Sequence, residues 1–228
     1  MPESIWTVTE AWRENWPGAT GGILAIQGFQ PTGRPEPFDE SLTETEELLI
    51  DRFVSLEREA IRQTGNIAHY HRYYRSFGQN YHVQHQIESI AKKGRKIPRR
   101  QLLVEIGFKW ELRNGILTGV HDLADVGFPV VLDSAAEPVA YQGYGEHQAE
   151  VRLKDMYYRD GVDVLSSIVG GPSHHGRIQE STGAALFTVY GVPGVVAAEI
   201  ESHLQQLWAD VRLIEPNAEL IELSSISA

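Results

Sequence analysis

Apolar and polar positions follow two different periods along this chain, and the change between them divides it. Residues 22–27 form a short apolar run bounded by glycine, a strand candidate. Residues 30–41 (QPTGRPEPFDES) are punctuated by proline and glycine and read as an exposed loop. Ser41 with Glu44 three residues later has the pattern of a capping box. The helix it opens carries Leu49, Phe53, Leu56 and Ala60 on one face and ends near Gly65. A second helix over 67–77 stacks Tyr70, Tyr73, Tyr74 and Phe77, and a third covers 84–93. Short strands follow at 116–120, 129–132, 162–169 and 185–190. Pro193 then opens a last helix bearing Val196, Ile200, Leu204 and Leu207, with a strand after it. Helices first and strands afterwards predict an α+β fold with a mixed or antiparallel sheet region, not a βαβ winding.

Composition narrows the function classes. At 228 residues the core needs no staples, and with neither repeats nor low-complexity tracts the chain reads as one domain. There is no cysteine, which excludes a disulfide framework, a thiolate zinc site and a cysteine nucleophile. The first sixteen residues, MPESIWTVTEAWRENW, carry acids and no apolar run, so no signal peptide is expected there. No stretch reaches the ~18 apolar residues of a membrane span. A cytoplasmic protein is the expectation. The net charge of −11 argues against phosphate-rich partners, since cation–phosphate contacts supply most nucleic-acid affinity. Yet Lys92, Lys93, Arg95, Lys96, Arg99 and Arg100 crowd into nine residues, and such a ridge on an acidic body can orient an RNA. The alternative is a solvated helix end whose cations complement the helix dipole.

Several side chains invite chemistry, each with a bland counterpart. His69 with His71, His82 with His85, and His174 with His175 are paired, but only His82/His85 has helix-face spacing and there is no HExxH pattern, so no metal is expected. Tyr70, Tyr73 and Tyr74 can stack on bases or sit half-buried on a helix face. Ser166 and Ser167 lack the GxSxG elbow of a serine hydrolase. Glu105 and Asp122 can hold a water or an ammonium group, or equally cap helices and pair with the basic ridge. Gly170-Gly171 fits either a tight turn or a pocket wall whose backbone amides point at an ester oxygen.

Three segments together carry a resemblance: QIESIAKKG (86–94), IPRRQLLVEIGFKWELRNGILTGVHDL (97–123) and LSSIVGGPSHHGRIQESTGAALFT (165–188). They resemble the B3/B4 editing domain of the bacterial phenylalanyl-tRNA synthetase β subunit and its freestanding relatives. The helix ending in two basic residues matches at Gln86, Ile87, Glu88, Ser89, Ile90, Lys92 and Lys93. Ile97-Pro98 follows, then Val104-Glu105 as a strand entering a helix. Gly119 with Asp122-Leu123 comes next, then the small-apolar-glycine turn 166–171, and Thr182. The match is strongest over 70–190, with a strand, loop and helix before it and a helix and strand after. Where the family reads a tyrosine hydroxyl with histidine and glutamate, this chain has Gly119 and Thr188, and Phe108 replaces an asparagine.

What the resemblance implies is an aminoacyl-tRNA deacylase acting in trans, with mischarged tRNA as partner and no cofactor. The chemistry needs neither metal nor covalent nucleophile, only a positioned water, oxyanion donors, a pocket sized to the wrong amino acid and help from the tRNA's terminal hydroxyl. The resemblance places the pocket between the 116–122 strand and the Gly170 turn. It gives His121, Asp122, Gly170 and Gly171 to the catalytic centre and Gly119, Glu105, Ser167 and Thr188 to the pocket. The ridge of Lys92, Lys93, Arg95, Lys96, Arg99 and Arg100 would guide tRNA. An aromatic analogue and an arginine-like amino acid are both compatible substrates. A non-catalytic RNA-binding module of the same fold and a small-molecule protein reusing the pocket are the competing readings.

Overall fold

The strand at 22–27 is the centre of the protein. It extends over Thr20–Gln27, and seven of those eight residues are buried, as a strand covered on both faces must be. The computed structural model describes residues 4–145 and 147–228. In chain order the elements are β1 (Trp6–Val8), α1 (Glu10–Asn15), β2 (Thr20–Gln27), α2 (Glu36–Phe53), α3 (Arg58–Arg62), α4 (Gly65–Ser76), α5 (His82–Lys93) and α6 (Leu102–Asn114). Then come β3 (Thr118–Asp122), β4 (Val130–Ser134), β5 (Val139–Gln142), β6 (Gln148–Val151), β7 (Met156–Arg159), β8 (Val164–Ser167) and β9 (Gly171–Pro172). β10 (Ala185–Gly191), α7 (Ala197–Ile214) and β11 (Glu219–Ser227) complete the chain. The fold is α+β, with mixed and antiparallel sheets.

Two sheets lie face to face. One has the antiparallel order β11-β2-β10-β3; the other runs β1-β4-β7-β8-β9, with only β1 and β4 parallel. Adjacent glycines on β2 let both faces close. A Cβ on Gly21 would lie 2.3 Å from Leu132 of the second sheet, and one on Gly22 would lie 3.0 Å from Ile200 of α7. Helices α6 and α7 cover the outer face of the first sheet, and α2 and α5 pack behind α6. At Gly107, α6 sits so near β3 that a Cβ would meet Val120 at 2.8 Å. This contact fixes α6 along the free edge of β3, and the candidate site lies there.

Local structure corrects several expectations. The helix expected from Ser41 begins at Glu36 after Pro35, so Ser41 is internal and its hydroxyl donates to the Phe38 carbonyl rather than capping. It stops at Phe53, and α3 is a separate short helix. Val104-Glu105 lie within helix α6, not at a strand end. The apolar run around them also fits the i, i+3, i+4 pattern that tertiary packing selects. The last helix opens at Ala197 rather than Pro193, with Glu199 accepting from the Val196 N–H. Tyr70, Tyr73 and Tyr74 are all buried. Their hydroxyls are spent inside: Tyr70 on the Tyr190 carbonyl and Leu117 N–H, Tyr73 on Asp155 and Met156 N–H, Tyr74 on the Ile168 carbonyl. They are therefore core tyrosines, unavailable to stack on a base.

Candidate functional site

A cavity of about 430 Å³ opens between α6, β3 and the β8–β9 turn. Helix α6 lines it with Val104, Glu105, Phe108 and Glu111, positions spaced to share one helical face, and Gln101 just before the helix joins them. β3 and the residue before it contribute 117–121, and the turn contributes Ser166, Ser167, Ile168 and Gly171. Exposed lining residues, among them Pro98, Arg100, Val104 and Tyr144, form the mouth; buried ones, among them Glu111, His121 and Ser166, form the floor. Arg177 stands on the wall after β9.

Gly119 holds a polar trio together. A Cβ there would fall 2.5 Å from Thr188 Oγ1, 2.9 Å from His121 Nε2 and 3.1 Å from Ser166 Oγ. The His121 ring nitrogen lies 3.1 Å from Thr188 Oγ1 and 3.4 Å from Ser166 Oγ. Ser166 in turn meets the Tyr190 hydroxyl at 2.7 Å. Burial pulls the His121 pKa down to about 3, and nearby His175 adds to the effect while Asp160 opposes it. The imidazole is thus neutral at physiological pH, able to orient a water but a weak base.

Glu111 is the group that the sequence reading did not single out. It is 6% exposed, and burial raises its pKa to about 8, with the Thr118 N–H donating to Oε2 at 3.2 Å in partial compensation. Among the described residues its other oxygen has no hydrogen-bond partner, yet that oxygen is not sealed from solvent-sized space. It therefore faces the cavity. The signal available in the sequence was the spacing of Val104, Phe108 and Glu111 at i, i+4 and i+7 on one helix.

The expected site residues divide in two. Gly119, His121, Glu105, Ser167 and Gly171 line the cavity; Asp122, Gly170 and Thr188 do not. Both Glu105 oxygens are taken by the Arg34 guanidinium at 2.7 Å, an ion pair that raises the arginine pKa. Asp122 accepts from the Ala124 N–H and the Thr182 hydroxyl, closing the loop after β3. Thr188 sits behind His121, fully buried. The two glycines have different reasons. Gly171 has φ +84 with nothing within 4 Å of a Cβ, a conformational demand. A Cβ on Gly170 would meet the Tyr141 hydroxyl at 2.6 Å and the Glu150 carbonyl and Ser167 Oγ at 2.7 Å, so its demand is steric. The Gly170 N–H donates to Ser167 Oγ at 2.8 Å and is not free for an oxyanion.

The basic ridge is also divided. Lys96 and Arg99 pair with Glu46 at 2.8 and 2.6 Å, and Lys92 donates to the Leu56 carbonyl. Among the described residues Lys93, Arg95 and Arg100 form no ion pair, and Arg100 reaches the mouth. Of the paired histidines, His175 bonds Asp160 at 2.9 Å and His82 meets the Tyr74 hydroxyl at 3.2 Å. No group of three metal-binding side chains converges among the described residues, and no helix there is long and apolar enough to cross a membrane.

No family model matches the chain, and no curated protein matches it. Among solved structures it is similar to an N-terminal fragment of the phenylalanyl-tRNA synthetase β subunit from Pyrococcus horikoshii. The identity is 10%, the TM-score 0.49, and the match covers 94% of this chain and 53% of that one. The chain thus spans about half the length of that fragment.

Proposed function

We propose that the protein hydrolyses, in trans, the ester of a mischarged aminoacyl-tRNA bearing an aromatic or an arginine-like non-cognate amino acid. The observation that supports this reading is the cavity itself. It has largely apolar walls, polar groups gathered on its floor around Gly119, and Arg100 and Arg177 along its lining. Water adds to the acyl carbon and the carbonyl electron pair moves to oxygen. Collapse restores the C=O bond and expels the ribose oxygen, which takes the proton lost by water. With His121 neutral and weakly basic, the rate comes from holding water and ester in register rather than from base strength. Arg100 and the unpaired ridge cations suit the phosphates beside the ester.

Gly119→Ala tests the reading directly, because its Cβ crowds His121, Ser166 and Thr188 together. Single-turnover release should fall at least tenfold while tRNA affinity stays within twofold. Unchanged release would remove the polar floor from the mechanism. One observation favours a second reading, a small-molecule enzyme using the same cavity: half of the ridge is engaged internally by Glu46 and Leu56 on a protein of net charge −11. That reading predicts neither release nor binding with any tRNA.

A further inference from the structure

β3 is an edge strand, and its free edge runs along the cavity. In an antiparallel pair, alternate residues exchange both hydrogen bonds with the partner while those between turn outward. Here the odd-numbered residues face β10: the Leu117 carbonyl accepts from the Tyr190 N–H at 3.2 Å, and the Leu123 N–H donates to Ala184 at 3.0 Å. The even-numbered residues face outward. Thr118 N–H reaches Glu111 at 3.2 Å, and Asp122 N–H reaches the Gly176 carbonyl at 2.8 Å. Val120 lies between them and lines the cavity. Among the described residues neither its N–H nor the Thr118 carbonyl has a hydrogen-bond partner. Both residues are partly exposed beside the cavity, and an unpaired strand edge is a ready template for further main-chain pairing, so this stretch of edge is set to receive a ligand's main-chain groups.

We propose that this edge binds the aminoacyl group of the ligand as though it were one added strand residue. The acyl carbonyl oxygen accepts from the Val120 N–H, and the α-ammonium donates to the Thr118 carbonyl and the free oxygen of Glu111. An α-aminoacyl unit carries a nitrogen donor and a carbonyl acceptor at the spacing of a strand residue, which is how extended peptides add to sheet edges. Glu111 supplies the charge: neutral in the free protein, it releases its proton to solvent as the ammonium binds. The other two carboxylates near β3 cannot, since Glu105 is held by Arg34 and Asp122 by Ala124 and Thr182. The side chain is left to the apolar wall of Val104, Phe108 and Ile168. The site therefore recognises α-amino acids as a class before it reads which one is bound.

This inference rests on the aminoacyl-ester reading, but its test needs no hydrolysis. The probes are stable 3′-aminoacylamido-3′-deoxyadenosines with aromatic and arginine-like side chains, each beside its α-hydroxyacyl counterpart, titrated calorimetrically into the full chain. Wild type should bind an amino form at least tenfold more tightly than its hydroxy counterpart, and Glu111→Gln should bring that ratio close to one. Gln retains an acceptor for the Thr118 N–H, so the variant keeps its fold. Replacing residue 120 by the α-hydroxy analogue of valine removes one N–H and should weaken both forms by a similar factor. An unchanged ratio in Glu111→Gln, equal binding of the two forms by wild type, or no binding of any probe would overturn the proposal. Selective binding of an amino form by a protein that releases nothing from mischarged tRNA would uphold it and overturn the hydrolase reading.

Discussion

Replacing Glu111 by glutamine should change how stability depends on pH, and the direction follows from burial. The carboxyl titrates at 4.5 in its unperturbed state and at about 8 in the folded protein. Below pH 4.5 it is protonated in both states and costs nothing. Between 4.5 and 8 the unfolded chain ionises while the folded chain stays neutral, so folding loses stability as pH rises. Above 8 the loss levels off. At roughly 1.4 kcal/mol per pH unit, the ceiling is about 5 kcal/mol, a large share of a typical domain's stability. Local relaxation and water entry lower that figure, so about 2–5 kcal/mol is expected. Glutamine has the same shape, keeps the Thr118 hydrogen bond and cannot ionise. Asp155, which burial raises to about 6, titrates in both proteins and cancels in the comparison. Urea unfolding at pH 5, 7 and 9 should give nearly equal stabilities at pH 5, with the variant increasingly ahead at 7 and 9. A difference constant across that range would refute the placement of Glu111 as a buried acid.

Further outcomes follow from the same geometry. His121 and His203 are both pulled by burial to about 3, so stability present above pH 6.5 should fade as pH drops from 6.5 toward 3. His203→Gln should make acid unfolding less steep by about one proton in a circular-dichroism titration. Arg99→Ala leaves the buried Glu46 with only the exposed Lys96 as an ionic partner and should cost roughly 2–4 kcal/mol in urea unfolding. Lys93→Ala with Arg95→Ala breaks no ion pair and should leave stability within about 0.5 kcal/mol. If both side chains touch phosphate, it should lower the salt slope of tRNA binding by about 2. An unchanged slope would remove that part of the ridge from the interface.

The sequence showed most where one period dominated. The run at 22–27 became β2 because an unbroken apolar strand belongs between two layers, and Ile200, Leu204 and Leu207 did form the buried face of α7. A cavity lies beside β3 and the glycine turn, where the resemblance placed a pocket. What stayed hidden depended on long-range pairing. Glu111 reads locally as one more solvated charge in KWELR, and only the packing of α6 on β3 buries it. The role of Glu105 stayed open between ligand, cap and ridge partner because its actual partner, Arg34, lies 71 residues away. The exposed amide of Val120 cannot be seen without the β3–β10 register, which sets the residues that turn outward. Two of the six ridge cations, Lys96 and Arg99, are tied down for the same reason, since their partner Glu46 comes from α2.

Hydrolysis of a mischarged tRNA is tested most directly by amino-acid release from a defined panel. The panel should include Tyr-tRNA(Phe) and an arginine-analogue ester on tRNA(Arg), each beside its correctly charged form. Rapid release is expected from one mischarged species and none above background from the cognate esters. Binding of tRNA without release would contradict the enzyme and leave an RNA-binding module; neither binding nor release would turn the cavity over to a small molecule.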